Sequence, residues 1–415
     1  MVLIMSLEQP VRIKSTDYMK KILYEYYIDL DKASKTKGEF VAWCSSAGPT
    51  EMLRSFGFKV YYPENHSAIL GASRKANTFI PVSNTYGYSP DICSYLTSDI
   101  GAYLQNYTPL TESYGLETVP KPDVLVYNTN QCRDVQDWFR FYSERLGIPL
   151  IGIHSPSFVP EVTEADIVNV TDQFHQLIPT LEKVSDKKFD IAKLREIVQL
   201  SKQATDLWRE VLESAKHSPS PISFFDSGIH MAPIVLLRGE QVAIEYYQTL
   251  RNEMNQRLEE NIAAVPNETI RLYWDGMPIW GKLRALSNLF IESEACVVAS
   301  TYCNSWIFSQ LDPQDPIRSM AKAYTELFIN RDEDFKEKYL IKTMKEFNVD
   351  GIIYHDCKTC PNNSNNRYQL PQRTHNKNEI PYITIDGDVN DLRCFSEEQT
   401  RTSLEAFIEQ LKSYK

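Results

Sequence analysis

The sequence lacks any run of 18 apolar residues, so nothing in it reads as a membrane span. Its start, MVLIMSLEQPVRIKS, is briefly apolar, with no basic residues ahead of that stretch and no small-residue cleavage site. A secretory signal is therefore not expected. Positive charge is not in excess either: 44 Lys and Arg stand against 55 Asp and Glu, a net of −11. That argues against a general nucleic-acid binder, which needs a basic face, and leaves room for a local positive pocket. No low-complexity tract interrupts a composition that is 42% hydrophobic and 24% charged, ordinary for a globular protein. Cysteine is sparse, with eight in 415 residues. Without secretion these do not form a disulfide framework, and the expectation is a cytoplasmic protein whose thiols are free, catalytic or metal-bound.

What is present is a strand and helix rhythm that occurs twice. In the first half, FVAWCS (40–45), KVYYP (59–63), VLVYNTN (124–130) and PLIGIHS (149–155) are short, β-rich and apolar throughout. Amphipathic stretches separate them: EMLRSFG, DICSYLTSDIGAYLQNY and RDVQDWFRFYSERLG. Apolar strands alternating with helices predict an α/β fold with a parallel sheet covered on both faces. From 163 to about 217 the strand signal gives way to charged helical periodicity, and SPSPISFF then breaks it with two prolines. The second half resumes with IRLYWDG (270–276), CVVAS (296–300), DGIIYHD (350–356) and YITIDGD (382–388). The expected organisation is an α/β domain over 1–160, a helical connector over 161–225 and a second α/β domain over 226–415. Ligands of open α/β sheets bind beyond the carboxyl ends of the strands, so the chemistry is sought in a cleft between two such ends.

Three cysteines fall there. Ser89-Pro90-Asp91-Ile92-Cys93 has the form of a helix start, with Ser89 as the cap and Pro90 as first residue. Cys132 follows the third strand directly, and Cys360 follows the corresponding strand of the second half. Helix N-termini favour thiolate, the metal-binding form, so the placement makes Cys93, Cys132 and Cys360 candidates for one shared iron–sulfur cluster. Other readings stand beside it. Cys357 and Cys360 form a lone CxxC, compatible with a redox pair or half a zinc site, although no second CxxC or His pair completes one. Cys44 with His355 is a conceivable nucleophile pair. Cys296, Cys303 and Cys394 are expected to be structural.

At these residues the chain resembles the 2-hydroxyacyl-CoA dehydratase and benzoyl-CoA reductase family, over nearly its whole length. The resemblance rests on Trp43-Cys44-Ser45-Ser46, Tyr62-Pro63-Glu64-Asn65, Asp91-Ile92-Cys93, Asn130-Gln131-Cys132 and the run from Tyr354-His355 to Cys360. ESAKHSPSPISFF (213–225) and the following LLRGEQVAIEYYQTLRNEM extend it. It implies two Rossmann-like domains and one 4Fe–4S cluster held by Cys93, Cys132 and Cys360, with Cys357 outside the ligand set. It also implies that Ser46, Glu64 and His355 lie beside the cluster. There Ser46 and His355 would donate hydrogen bonds to a developing oxyanion or departing hydroxyl, and Glu64 would orient that hydroxyl or shuttle a proton.

The same resemblance implies an acyl-CoA substrate, a smaller paralogous subunit in a heterodimer, and an ATP-dependent iron–sulfur activator that docks transiently. The activity it implies is elimination of water from an (R)-2-hydroxyacyl-CoA through a ketyl radical. The alternatives are a subunit of an aryl-CoA reductase of the benzoyl-CoA type and a non-catalytic electron-transfer subunit of such a complex.

Overall fold

All eight expected strands form, and each half arranges its four in the same order. The structure is a computed structural model that describes residues 10–415, and the apolar start of the chain lies outside the described residues. The first sheet contains β1 (Val41–Cys44), β2 (Lys59–Tyr61), β3 (Val124–Asn128) and β4 (Leu150–Ile153), in the order β2-β1-β3-β4. The second contains β5 (Ile270–Asp275), β6 (Ala295–Ser300), β7 (Gly351–Cys357) and β8 (Tyr382–Gly387), in the order β6-β5-β7-β8. Every pairing is parallel. The strands β1, β3, β5 and β6 are buried along their whole length, as strands covered by helices on both faces must be.

In both sheets the chain leaves the first strand in one direction and then crosses to its other side. The switch points therefore lie between β1 and β3 and between β5 and β7, where open sheets bind ligands. Several loops leaving strand carboxyl ends meet between the two sheets. Asn130 Nδ2 donates to Ala47 O (3.0 Å) and across to Tyr324 O (2.8 Å). Asn390, just beyond β8, donates through Nδ2 to Ser67 O (2.9 Å) and Ser98 Oγ (3.0 Å). The approach is close enough to need a glycine: a Cβ at Gly71 would stand 2.0 Å from Asn390 Oδ1.

Two long helices, Glu164–Ser185 and Ile191–Glu213, occupy the region expected to be a helical connector. The first starts at a capping box in which Thr163 and Asp166 satisfy each other's backbone amides, and the second starts at Asp190, which accepts from Ala192 and Lys193. Helix Gln241–Glu259, from the second half of the sequence, packs against Ile191–Glu213 and against the N-terminal helix Ser15–Lys35.

One local expectation is corrected. Ser89 does not cap a helix. Its hydroxyl accepts from Asp91 N (3.2 Å) in a turn, and the helix starts later, at Ser94–Leu104, with Cys93 itself in the cap position. Pro90 and Asp91 belong to the turn, which brings Cys93 to the very end of the helix. Two helices between β2 and β3, Pro63–Ala72 and Ala76–Thr85, were not anticipated from the sequence.

Candidate functional site

The loop after β1 is held rigidly. Arg238, fully buried, donates through Nη2 to Ser46 O (2.9 Å), Gly48 O (3.0 Å) and Thr50 Oγ1 (2.9 Å), and through Nη1 to Val235 O (3.0 Å). Its Nε donates to Tyr324 OH (3.2 Å), and Glu51 pairs with it at 3.5 Å. This fixes Ser46, whose amide donates to Glu64 Oε1 at 2.9 Å. Glu64 sits in the first turn of helix Pro63–Ala72, and its other oxygen, Oε2, is buried with no partner. Burial pushes its carboxyl up to about 7, and the hydrogen bonds from Ser46 only partly oppose that.

Cys93 caps its helix, Cys132 lies two residues ahead of helix Asp134–Leu146, and Cys360 ends the loop that follows β7. All three are free thiols lining one cavity of about 130 Å³, together with Ser46 and Glu64. They are near enough to act on one another electrostatically: Cys132 and Cys360 raise the pKa of Cys93, and Cys360 raises that of Cys132, after the larger effect of burial. The Cys132 thiol is pushed up to about 12. Amides oppose this, Leu96 N–H at Cys93 and the N–H groups of Val135 and Asp134 at Cys132, as expected for sulfur atoms at helix N-termini.

Among the described residues, no group of three or more His, Cys, Asp or Glu is arranged to hold a single metal ion. A multi-iron cluster makes a different demand, because each cysteine ligates its own iron and the sulfurs stand further apart. Three thiols, soft donors, suit iron–sulfur or another thiophilic centre. The donor set fits the cluster that the resemblance implies.

The Cys360 loop is tied to the Cys93 helix by a carboxylate. Asp388 is fully buried and accepts from Ser94 Oγ, Thr359 N (2.8 Å) and Thr359 Oγ1 (2.6 Å), while Thr359 Oγ1 accepts from Ser94 N (3.0 Å). Cys357 directs its thiol at the same carboxylate, at 3.6 Å, and is fully buried. It lines neither this cavity nor the larger one described next.

His355 is also placed away from the cavity surface. Its ring is buried, Nδ1 donates to Met277 O (2.7 Å), and Nε2 has no partner. Burial lowers its pKa, so the ring is neutral with its proton on Nδ1. Met277, which it holds, does line the cavity. The structure thus brings Ser46, Glu64 and the three cysteines together and sets His355 behind them. Cys44 is buried within β1, and burial drives its pKa far upward, so it is closed off from His355 in the other sheet.

A larger cavity of about 630 Å³ adjoins the first. Ser46, Glu64, Tyr95, Tyr302 and Trp306 line both. From this junction the larger cavity runs along helix Pro63–Ala72 toward Arg74 and Arg284, which are exposed at its mouth. Tyr95, Tyr302 and Trp306 were missed in the sequence. Tyr95 lies two residues past Cys93, and Tyr302 lies in the first turn past β6, a position that strand ends alone would have flagged.

The family model described as 2-hydroxyglutaryl-CoA dehydratase, D-component, matches residues 45–411. The chain is 30% identical over 396 residues to the lactoyl-CoA dehydratase subunit alpha of Anaerotignum propionicum, covering 92% of this chain and 93% of that one. It is 30% identical over 399 residues to the (R)-2-hydroxyisocaproyl-CoA dehydratase alpha subunit of Clostridioides difficile, covering 95% of each. It is also 29% identical over 374 residues to one of the subunits of the benzoyl-CoA reductase of Thauera aromatica, covering 86% of this chain and 85% of that one.

Proposed function

Because the chain belongs to the 2-hydroxyglutaryl-CoA dehydratase, D-component, family, we infer that it is the alpha-type subunit of an (R)-2-hydroxyacyl-CoA dehydratase. The reaction is a hydro-lyase elimination: the α-hydroxyl and a β-proton leave as water and an (E)-2-enoyl-CoA remains. The observation that carries this reading is the meeting of Cys93, Cys132 and Cys360 with Ser46 and Glu64 on one cavity that opens into a larger cleft. Cys93, Cys132 and Cys360 would hold a 4Fe–4S cluster. When bound, such a cluster supplies one-electron chemistry and an iron with an open position.

The β-proton beside an ordinary alkyl group is too weak an acid for any side chain to remove. One electron, originating from an ATP-hydrolysing iron–sulfur activator, converts the thioester to a ketyl radical anion. Loss of hydroxide then leaves an enoxy radical whose β-hydrogen is far more acidic. After deprotonation the electron is given back, so none is consumed and the balance is substrate to enoyl-CoA plus water.

This chain's residues serve that sequence at the junction of the cavities. Ser46, pinned by Arg238, presents a fixed polar edge to the substrate. Glu64, with a carboxyl poised at about 7, receives or delivers a proton near neutral pH. His355 works through Met277, holding the β5 loop against the cavity. A smaller paralogous subunit completes a heterodimer, and the complex is cytoplasmic. Among the described residues no helix is long and apolar enough to cross a membrane.

The test is an anaerobic assay of the complex with its activator, offered an (R)-2-hydroxyacyl-CoA and, separately, benzoyl-CoA. Dehydration with trace reductant is expected. Stoichiometric consumption of reductant on benzoyl-CoA would assign the chain to the reductase branch instead. A substrate-bound structure with CoA only in the partner would make this chain an electron-transfer subunit.

A further inference from the structure

Resting on the acyl-CoA reading above, we infer that the acyl group selected here is an uncharged hydrocarbon, and that a second carboxylate on the acyl chain is rejected. The charges along the two cavities occur in a definite order. Arg74 and Arg284 stand exposed at the mouth of the larger one, and Arg74 is fixed there by Nε donation to Gly281 O at 3.0 Å. Helix Pro63–Ala72 runs from this mouth to Glu64, about 15 Å along its axis, a span that an extended pantetheine arm covers. The anionic nucleotide end of CoA belongs with the arginines, and the thioester belongs with Ser46 and Glu64.

Beyond that point the acyl group meets mostly apolar side chains, the neutral polar groups of Gln131, Ser305 and Asn363, and acids, but no cation. On one side the junction is walled by Tyr302 and Trp306, which continue into the cluster-side cavity. Val235 and Leu236 line the larger cavity. The carboxylates lining the cluster-side cavity are Glu64, at the junction, and Asp134, and among the described residues no Lys, Arg or His lines it. The buried cation nearest Ser46 is Arg238, and its guanidinium is already engaged by Ser46, Gly48, Thr50, Val235 and Tyr324. A γ- or δ-carboxylate on the substrate would lose its hydration in a cavity whose only charged side chains are two acids, with no cation to receive it, which is costly. A branched alkyl or aromatic group would meet ring and aliphatic surface.

The test is equilibrium binding to the purified complex, without activator or ATP, of saturated thioesters that lack the α-hydroxyl and cannot react. Tryptophan fluorescence or calorimetry would follow 4-methylpentanoyl-CoA, 3-phenylpropanoyl-CoA and glutaryl-CoA. The two hydrocarbon thioesters are expected to bind about 100-fold more tightly than glutaryl-CoA. Comparable or tighter binding of glutaryl-CoA overturns the inference. Replacing both Arg74 and Arg284 by alanine is expected to weaken all three ligands by a similar factor. A loss confined to glutaryl-CoA would show that the arginines read an acyl carboxylate, and would also overturn it. Turnover is a separate readout: absence of dehydration with the binding order intact would count against the dehydratase reading and leave the acyl-group inference standing.

Discussion

The two halves share strand order and handedness, yet their carboxyl ends do different work. The first half presents its polar groups to the cavity: Ser46 after β1, Glu64 after β2 and Cys132 after β3. The second half turns equivalent groups inward. Asp275, at the end of β5, is spent on Thr301 and Asn365 (3.0 Å), His355 in β7 on Met277, and Asp388 after β8 on Ser94 and Thr359. What it offers the cavity instead is mostly apolar, Met277, Tyr302, Trp306, Phe308 and Val389 among others, with Ser305 and Asn363 as neutral polar groups and Cys360 as its one thiol. A duplicated scaffold has thus divided its labour, one half supplying the acids and two of the three thiols of the cavity and the other a mostly apolar wall. Low polarity around a few placed polar groups strengthens their electrostatic action, which the proposed radical-anion intermediate would need.

The largest expected effect comes from breaking the comparison at Cys357 and Cys360, three residues apart and opposite in proposed role. Cys360→Ser should remove or destabilise the cluster, with iron, acid-labile sulfide and turnover all falling while the subunit stays folded. Cys357→Ser should keep full iron, since its thiol faces Asp388 rather than the cavity. Anaerobic metal analysis of both variants decides the matter, and iron loss in Cys357→Ser alone would reverse the assignment. Next comes the contrast between Glu64 and His355. Glu64→Gln is expected to lower kcat about 10³-fold and to erase the limb of the pH profile near 7. His355→Ala should cost about 10-fold through the displaced Met277 loop and leave the profile's shape unchanged. A lost limb in His355→Ala would make that ring, and not Glu64, the proton carrier.

Much of this division was invisible in the sequence, for identifiable reasons. The strands were legible because parallel strands covered on both faces must be continuously apolar, and VLVYN or ACVVA can do little else. Cys132 and Cys360 were legible as residues just beyond strand ends and Cys93 as one near a helix start, and the resemblance singled out these three among eight. The start of the Cys93 helix was not, because Ser89-Pro90-Asp91 satisfies the helix-start pattern while a turn uses the same residues. His355 was expected to be a donor because the resemblance implies one beside the cluster. Its direction depends on where Met277 O lies, 78 residues away, and no local pattern carries that. The junction aromatics were hidden for the same reason. A tyrosine after a strand is ordinary until the second sheet is placed opposite it.

The smallest effect sharpens the comparison at equilibrium. Each half keeps one buried acid at a strand end with its pKa raised, chiefly by desolvation: Glu64 from 4.5 to about 7 and Asp275 from 3.8 to about 6. A carboxyl whose pKa is higher in the folded state holds its proton there after the unfolded chain has released it. Its contribution is therefore complete below the unfolded value and is lost as pH rises through the folded one. Stability of the cluster-free subunit should fall from pH 4.5 to 7 on account of Glu64 and from 3.8 to 6 on account of Asp275. Each shift amounts to up to about 3 kcal/mol. Glu64→Gln should flatten the upper part of the decline and Asp275→Asn the lower part, as read by denaturant unfolding across the range. The two should differ in background, because Asp275 has partners that an amide only partly satisfies, whereas Glu64 Oε2 has none to lose. Stability rising with pH across 4.5 to 7 would mean that Glu64 is ionised in the fold, and would take away its part as proton carrier.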